Sequence, residues 1–202
     1  MQELLKPKEG WEVKKLGEIA NLKRDNVIPA SLPKQVFVHF SLPAFDSDKK
    51  PVTEAGVNIG SNKFRVPKGA ILVSKLNPRI PRVWAPTDIP DYSIASTEFL
   101  ILVPSESTSR SFLFVICSSP WFFEKMELSA TGTTGSHQRI SPSVALDITF
   151  SMPLDFQEQT RIAQILSDMD AEIEALEKKL NKYKMIKQGM MQNLLTGRVR
   201  LV

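Results

Sequence analysis

Residues 155–197 read DFQEQTRIAQILSDMDAEIEALEKKLNKYKMIKQGMMQNLLTG. Apolar side chains recur at Ile162, Leu166, Met169, Ile173, Leu176, Leu180 and Tyr183, then at Met190 and Leu194, in alternating steps of four and three. That period is the heptad seam of a coiled coil, whose seam side chains all face one partner helix. Lys187 is a polar slot in the seam. Asp155, with Glu158 three residues on, predicts an N-cap with a reciprocal carboxylate. Gly197, after Leu194 and Leu195, predicts a C-terminal stop, and no proline interrupts the run. A helix of about forty residues is roughly 60 Å long at 1.5 Å per residue. It is too long to lie across one small domain, so it is expected to be a spacer that pairs with another helix.

Working back from the helix, residues 1–154 carry a different pattern. Short apolar runs alternate with proline and glycine turns, at Gln35–Phe40, Phe64–Val66, Ala70–Leu76, Ile94–Val103 and Ile148–Met152. These read as strands. Phe112–Cys117 and Trp121–Leu128 read as two short helices, the second with Ser119 as N-cap and Pro120 at its first position. Ser141-Pro142 repeats that cap for a third. Trp11–Ala20 reads as a short amphipathic segment and Pro43–Asn58 as turn-rich. The fold class is therefore α+β: a globular domain of mixed β-sheet and short helices over residues 1–154, then one long coiled-coil-type helix over 155–202.

Charge narrows the partner. The net charge of +4 is small, but Ala55–Thr87 holds no acidic residue while containing Lys63, Arg65, Lys68, Lys75, Arg79 and Arg82. Leu128–Leu146 is likewise free of acids and contains His137 and Arg139. Basic stretches cleared of carboxylates suit a polyanion. Within the second, Ser129–Ile140 (SATGTTGSHQRI) is rich in glycine and hydroxyls, and such a loop can approach a phosphate closely. The candidate nucleic-acid residues are Lys63, Arg65, Lys75, Asn77, Arg79, Arg82, Thr133, Thr134, Ser136, His137, Gln138 and Arg139. Arg and Lys serve phosphates or guanine edges, and Asn and Gln can pair with adenine. Glu98 stands among apolar neighbours, where a carboxylate needs a partner that the sequence does not identify.

Catalytic patterns are missing. Two histidines and one cysteine, far apart, give no zinc spacing. GxxxxGK[ST] is absent, and Asn77-Pro78 is followed by Arg79 rather than by the proline and aromatic residue of an adenine methyltransferase loop. The lone Cys117 lies in an apolar run and cannot form a disulfide framework, which favours a reducing compartment. No apolar run approaches transmembrane length and the N-terminus has no signal-peptide core, so a cytoplasmic protein without a membrane partner is expected. Binding is favoured over catalysis.

A set of short motifs recurs in a telling order. Gly10-Trp11 and Leu16-Gly17-Glu18-Ile19 come first, followed by Gly69-Ala70-Ile71-Leu72-Val73-Ser74-Lys75-Leu76-Asn77-Pro78. Next stand Ser96-Thr97-Glu98-Phe99, Thr131-Gly132-Thr133 and Arg139-Ile140-Ser141. Pro153-Leu154, Glu158-Gln159, Arg161-Ile162-Ala163, Lys187-Gln188-Gly189-Met190-Met191-Gln192 and Thr196-Gly197 close the series. In order and spacing, across nearly the whole chain, they resemble the specificity (S) subunit of type I restriction–modification systems. A full subunit of that family alternates two target-recognition domains with two long helices, and this chain has one of each, as a half-subunit would.

The resemblance implies a non-catalytic chain that reads one half of a split double-stranded DNA site. It also implies a homodimer through the long helix, docked to methyltransferase (M) and restriction (R) subunits. This chain would hold no cofactor: S-adenosylmethionine, ATP and Mg²⁺ are implied on the partner subunits. The alternatives are a coiled-coil scaffold whose head binds protein, and a solo DNA-binding regulator with no methyltransferase partner.

Overall fold

The computed structural model describes residues 10–132 and 138–199. The chain begins with β1 (Trp11–Lys15), α1 (Leu16–Ile19), β2 (Ala20–Lys23) and β3 (Asn26–Val27). It continues through β4 (Val36–Phe40), α2 (Leu42–Asp48), β5 (Val52–Ala55), β6 (Lys63–Arg65), β7 (Ile71–Ser74) and β8 (Val83–Trp84). Then come β9 (Ser93–Ser96), β10 (Phe99–Pro104), α3 (Arg110–Ser118), α4 (Pro120–Leu128), α5 (Pro142–Leu146), β11 (Thr149–Pro153) and α6 (Phe156–Leu195). The α+β expectation holds. Two compact units result, residues 1–162 and 163–202, so the first turns of α6 belong to the head.

The strands form three sheets, ordered β1-β11, β2-β10-β7-β8 and β3-β6-β9-β4-β5. Neighbours run antiparallel, except β4 and β9, which are parallel. Two pairs of neighbouring strands part company here. β6 and β7 enter different sheets, and the apolar stretch 94–103 breaks at Thr97-Glu98 so that β9 and β10 also part. The segment expected to be turns contains α2 and β5, and the amphipathic stretch from Trp11 is mostly strand.

This division gives the core its shape. Phe40 and Ala95 from the five-stranded sheet meet Leu72, Trp84, Phe99 and Ile101 from the four-stranded one, with Phe45 of α2 between. The rings of Phe40 and Phe45 stand edge-on to Trp84, with centroids at 4.8 and 5.6 Å, a favourable arrangement of aromatic quadrupoles. On the far side of the five-stranded sheet, Phe37 and Ile94 pack with Val27 and Ile59. Every residue of β7 is buried, and α3 packs on β7 and β10. Cys117 lies in α3, fully buried, and burial pushes its thiol up, so it stays protonated and inert.

Helix starts follow the expected chemistry. Ser119 Oγ accepts the Phe122 N–H at 3.2 Å and Ser141 Oγ accepts the Val144 N–H at 3.3 Å, each ahead of a proline. Ser41 caps α2 in the same way, at 3.2 Å from the Ala44 N–H. Caps of this kind contribute about 1 kcal/mol each. Asp155 Oδ1 caps α6 through the Gln157 N–H at 2.9 Å. The reciprocal carboxylate does not form, because Glu158 instead accepts the indole N–H of Trp11 at 3.1 Å. Gly197 takes φ +71 and ends the helix, as its position predicts.

Gln159 pins the start of α6. It is fully buried. Its Oε1 accepts the Ser109 N–H at 2.8 Å, and its Nε2 donates to Pro153 O at 3.0 Å and Ser107 O at 3.2 Å. A buried amide with its oxygen and nitrogen both matched fixes position, because each unmatched group would cost desolvation energy. Beyond this anchor the seam changes character. Ile162 and Leu166 are buried, whereas Met169, Ile173, Leu176, Leu180, Tyr183, Met190 and Leu194 are 36 to 58% exposed.

Candidate nucleic-acid interface

The two acid-free stretches meet at the end of β7. The Asn77 N–H donates to Gln138 O at 2.8 Å and the Ile140 N–H to Lys75 O at 3.1 Å. Leu76 bridges Arg139, and Arg139 exchanges two main-chain bonds with Thr131, both 2.9 Å. The root of the glycine-rich loop is therefore fastened to the segment that follows β7. Thr133, Thr134, Ser136 and His137 lie outside the described residues.

The partner that Glu98 requires is Arg139. Its Nε lies 3.1 and 3.2 Å from the two carboxylate oxygens of Glu98, and its Nη2 lies 3.1 Å from Oε1. The Lys75 N–H donates to Glu98 O at 2.9 Å. Glu98 thus holds both sides of the junction, one by its side chain and one by its backbone. Ser74 Oγ adds bonds to the main chain of Leu76. Asn77 adopts φ +50, the left-handed region that Asn tolerates better than most residues.

Several sequence candidates already have work inside the head. Lys63 is buried, with its ammonium on Ser61 O and Oγ, so it is withdrawn from the DNA-facing set: it does not reach the surface. Arg82 forms a fork on Asp46, at 2.7 and 2.9 Å, and this pair holds the Asp46 carboxyl below the usual carboxylate range. Asn77 is buried, and its Oδ1 has no partner among the described residues. Paired cations offer a phosphate little net charge. Arg65, Lys75 and Arg79 remain, with no partner among the described residues, and Gln138 is half-buried at the loop root, where its carbonyl accepts the Asn77 N–H.

The segment Lys63–Arg82 is therefore not one surface. Buried β7 divides it into an end with Arg65 and Lys68 and an end with Lys75 and Arg79. Lys68 and Lys75 flank that strand, no more than about 23 Å apart at about 3.3 Å per residue, because the chain turns at Lys68-Gly69.

Two structural groups carry no sequence signal that reveals their role. Arg110 donates from Nε to Gly69 O at 2.9 Å and from Nη2 to Pro86 O at 2.7 Å and Ala70 O at 3.3 Å, joining the turn before β7 to the chain after β8. His39 Nδ1 is 2.5 Å from Glu54 Oε1. Burial lowers the His39 pKa, against the pull of Glu54. This favours a neutral imidazole that donates Nδ1–H to Glu54, so the contact is a hydrogen bond rather than an ion pair. Nε2 is buried without a partner, and a proton there would be an unmatched buried donor. Among the described residues no cluster of His, Cys, Asp or Glu could hold a metal ion, and no helix is long and apolar enough to cross a membrane.

Comparison with known proteins agrees with this architecture. The sequence model of the family described as type I restriction modification DNA specificity domain matches residues 8–185. The structure is similar to that of the HsdS subunit from Thermoanaerobacter tengcongensis, with TM-score 0.76 and 18% identity over 92% of this chain and 48% of that one. It is similar to a chain from a study of complex assembly and conformational transition of the type I R-M system, with TM-score 0.66 and 20% identity over 93% of this chain and 47% of that one. It is also similar to the S subunit of the type I restriction–modification system from M. genitalium, with TM-score 0.57 and 18% identity over 94% and 47%. The chain thus spans about half the length of these solved structures, 47 to 48%.

Proposed function

This chain belongs to the family of type I restriction modification DNA specificity domains, and from that premise we propose that its head reads one half of a split double-stranded DNA site while its helix joins it to a second copy and to the M and R subunits. The chain performs no chemistry itself. Methylation and cleavage, with S-adenosylmethionine, ATP and Mg²⁺, belong to the partners. Lys75, Arg79 and Gln138, gathered at the end of β7, are the contacts to the half-site.

The observation that carries the reading is the exposed seam of α6. A helix that leaves Met169, Ile173, Leu176, Leu180, Tyr183 and Met190 about half exposed gains its stability from packing against something else. Charge supports a second copy running antiparallel. Asp168, Asp170, Glu172, Glu174 and Glu177 come first along the helix, and Lys178, Lys179, Lys182, Lys184 and Lys187 follow. Side by side in the same direction, Glu172 would flank Glu177 and Lys179 would flank Lys184 of the partner. Reversed, the acidic half lies along the basic half. The seam then matches itself: Ile173 faces Tyr183, Leu176 faces Leu180, and Asp170 flanks Lys184.

A two-fold axis through such a pair relates identical heads, so the two half-sites are inverted copies separated by unread base pairs. Mapping N6-methyladenine in cells that express this chain with its methyltransferase tests the reading. The expected result is a split palindrome. A continuous motif, or two unrelated half-sites with no other specificity chain present, overturns it.

A further inference from the structure

At the opposite end of β7 from the loop root, the segments Arg65–Lys68 and Ile89–Ser93 enclose an open cleft. Arg65, Lys68, Asp91 and Tyr92 line it. Arg65 and Lys68 are exposed and have no partner among the described residues. Tyr92 is 49% exposed although aromatic. It also adopts φ +62, a region that is strained for a bulky side chain, and such strain collects at binding sites.

The strain is held by defined contacts. Tyr92 O accepts the Val38 N–H at 3.3 Å, and its ring stands edge-on to Phe37 at 6.4 Å. Ser93 Oγ donates to Pro90 O at 2.6 Å, closing the turn before it. The ring is thereby kept on the rim of the cleft beside two free cations.

We propose that this cleft is a second DNA-contact site, which takes a phosphodiester ridge and does not read bases. The inference rests on the DNA-reading role proposed above. Arg65 and Lys68 donate to phosphate oxygens, and Tyr92 donates its hydroxyl to the same ridge while its ring packs on the sugar. A concave site accepts a backbone ridge, whereas base edges lie in grooves and are reached by protruding elements. Lys68 and Lys75, on either side of β7 and no more than about 23 Å apart at about 3.3 Å per residue, reach backbone up to about seven base pairs apart at about 3.4 Å each. The footprint therefore extends past the half-site read at Lys75 and Arg79. Asp91 is the one carboxylate in the cleft lining, and it opposes the phosphate.

Salt titration of DNA binding by the assembled complex tests this. Arg65→Ala and Lys68→Ala should each flatten the slope of log K against log salt by about one unit and leave the methylated sequence unchanged. Asp91→Asn should tighten binding, and Tyr92→Phe should weaken it severalfold. Arg65 and Lys68 have no partner to lose, so their variants should melt like the parent. If both bind with the parental slope while Lys75→Ala and Arg79→Ala weaken binding, this cleft is not a DNA site and the DNA-reading role stands. If either variant instead relaxes one position of the methylated motif, the contact is to a base and the phosphate assignment is wrong. If the parent itself shows no salt-dependent DNA affinity, the DNA-reading role falls, and this inference with it.

Discussion

The head and the long helix use the same kinds of residue in opposite ways. In the head, apolar side chains close on one another across sheets, and Arg82, Arg110, Arg139 and Lys63 each find acceptors within the unit. In α6 beyond Leu166, the apolar seam stands in water, and the ion pair in that stretch is the exposed Glu174–Lys178 contact, of a kind worth little by itself. The head completes its contacts within one chain. The helix beyond Leu166 leaves its seam uncovered within the chain.

The strongest way to break that contrast is to put charge into the seam. Leu176→Asp together with Leu180→Asp should abolish self-association, because each buried unpaired charge costs several kcal/mol. Sedimentation at micromolar concentration should show a monomer, with the melting of the head unchanged. A dimer that persists would mean that these positions do not face a partner.

Next in size is the anchor that keeps the first turns of α6 with the head. Gln159→Ala leaves the Ser109 N–H and two carbonyls without their partner, which should cost about 2–4 kcal/mol, at 1–3 kcal/mol per stranded group with partial relief from water. Urea denaturation of the head reads it. A loss below half a kcal/mol would show the buried amide to be replaceable by solvent.

A smaller effect sharpens the orientation of the helices. Asp170→Lys should weaken the dimer by about 0.5 kcal/mol per flanking pair, and adding Lys184→Asp should restore it. Restoration is expected only for antiparallel pairing; a parallel pair would show two independent effects in a double-mutant cycle.

The smallest effect is a pH dependence confined to the head. The folded pKa of His39 is lowered, chiefly by burial, so the unfolded chain binds the proton more readily. Its contribution to stability is therefore complete above the unfolded value of about 6.5 and is lost as pH falls below it, until the lower folded pKa is reached. His39→Gln should remove that slope. A parental stability that rose on acidification over the same range would contradict the neutral assignment.

Much of the scaffold was legible in the chain. The seam from Ile162 to Leu194, the caps at Ser119 and Ser141, the stop at Gly197 and the β-runs are patterns within a few residues of each other, and backbone geometry reads them locally. The motifs that carried the family resemblance prove to include the frame itself: Trp11 meets Glu158, Glu98 meets Arg139, and Gln159 pins the helix start. The candidate site was legible only in part. Both acid-free stretches were visible and do adjoin at Asn77 and Gln138, but nothing local told Arg79, which is exposed, from Arg82, which is bound to an aspartate. Nor did the period-two pattern say that β6 and β7, or β9 and β10, would enter different sheets, since alternation names the buried face and not the neighbour across it.

The chain alone thus settled the type of its strongly periodic elements and the existence of an unsatisfied helical seam, because helix and strand periods are set by backbone bonds between near neighbours. Which cations remain free was left to the packing of the fold. Arg82 finds Asp46 across 36 residues and Arg139 finds Glu98 across 41. A charge is spent or spared by whichever opposite group the packed sheets bring within hydrogen-bond reach, and that distance is written nowhere along the chain.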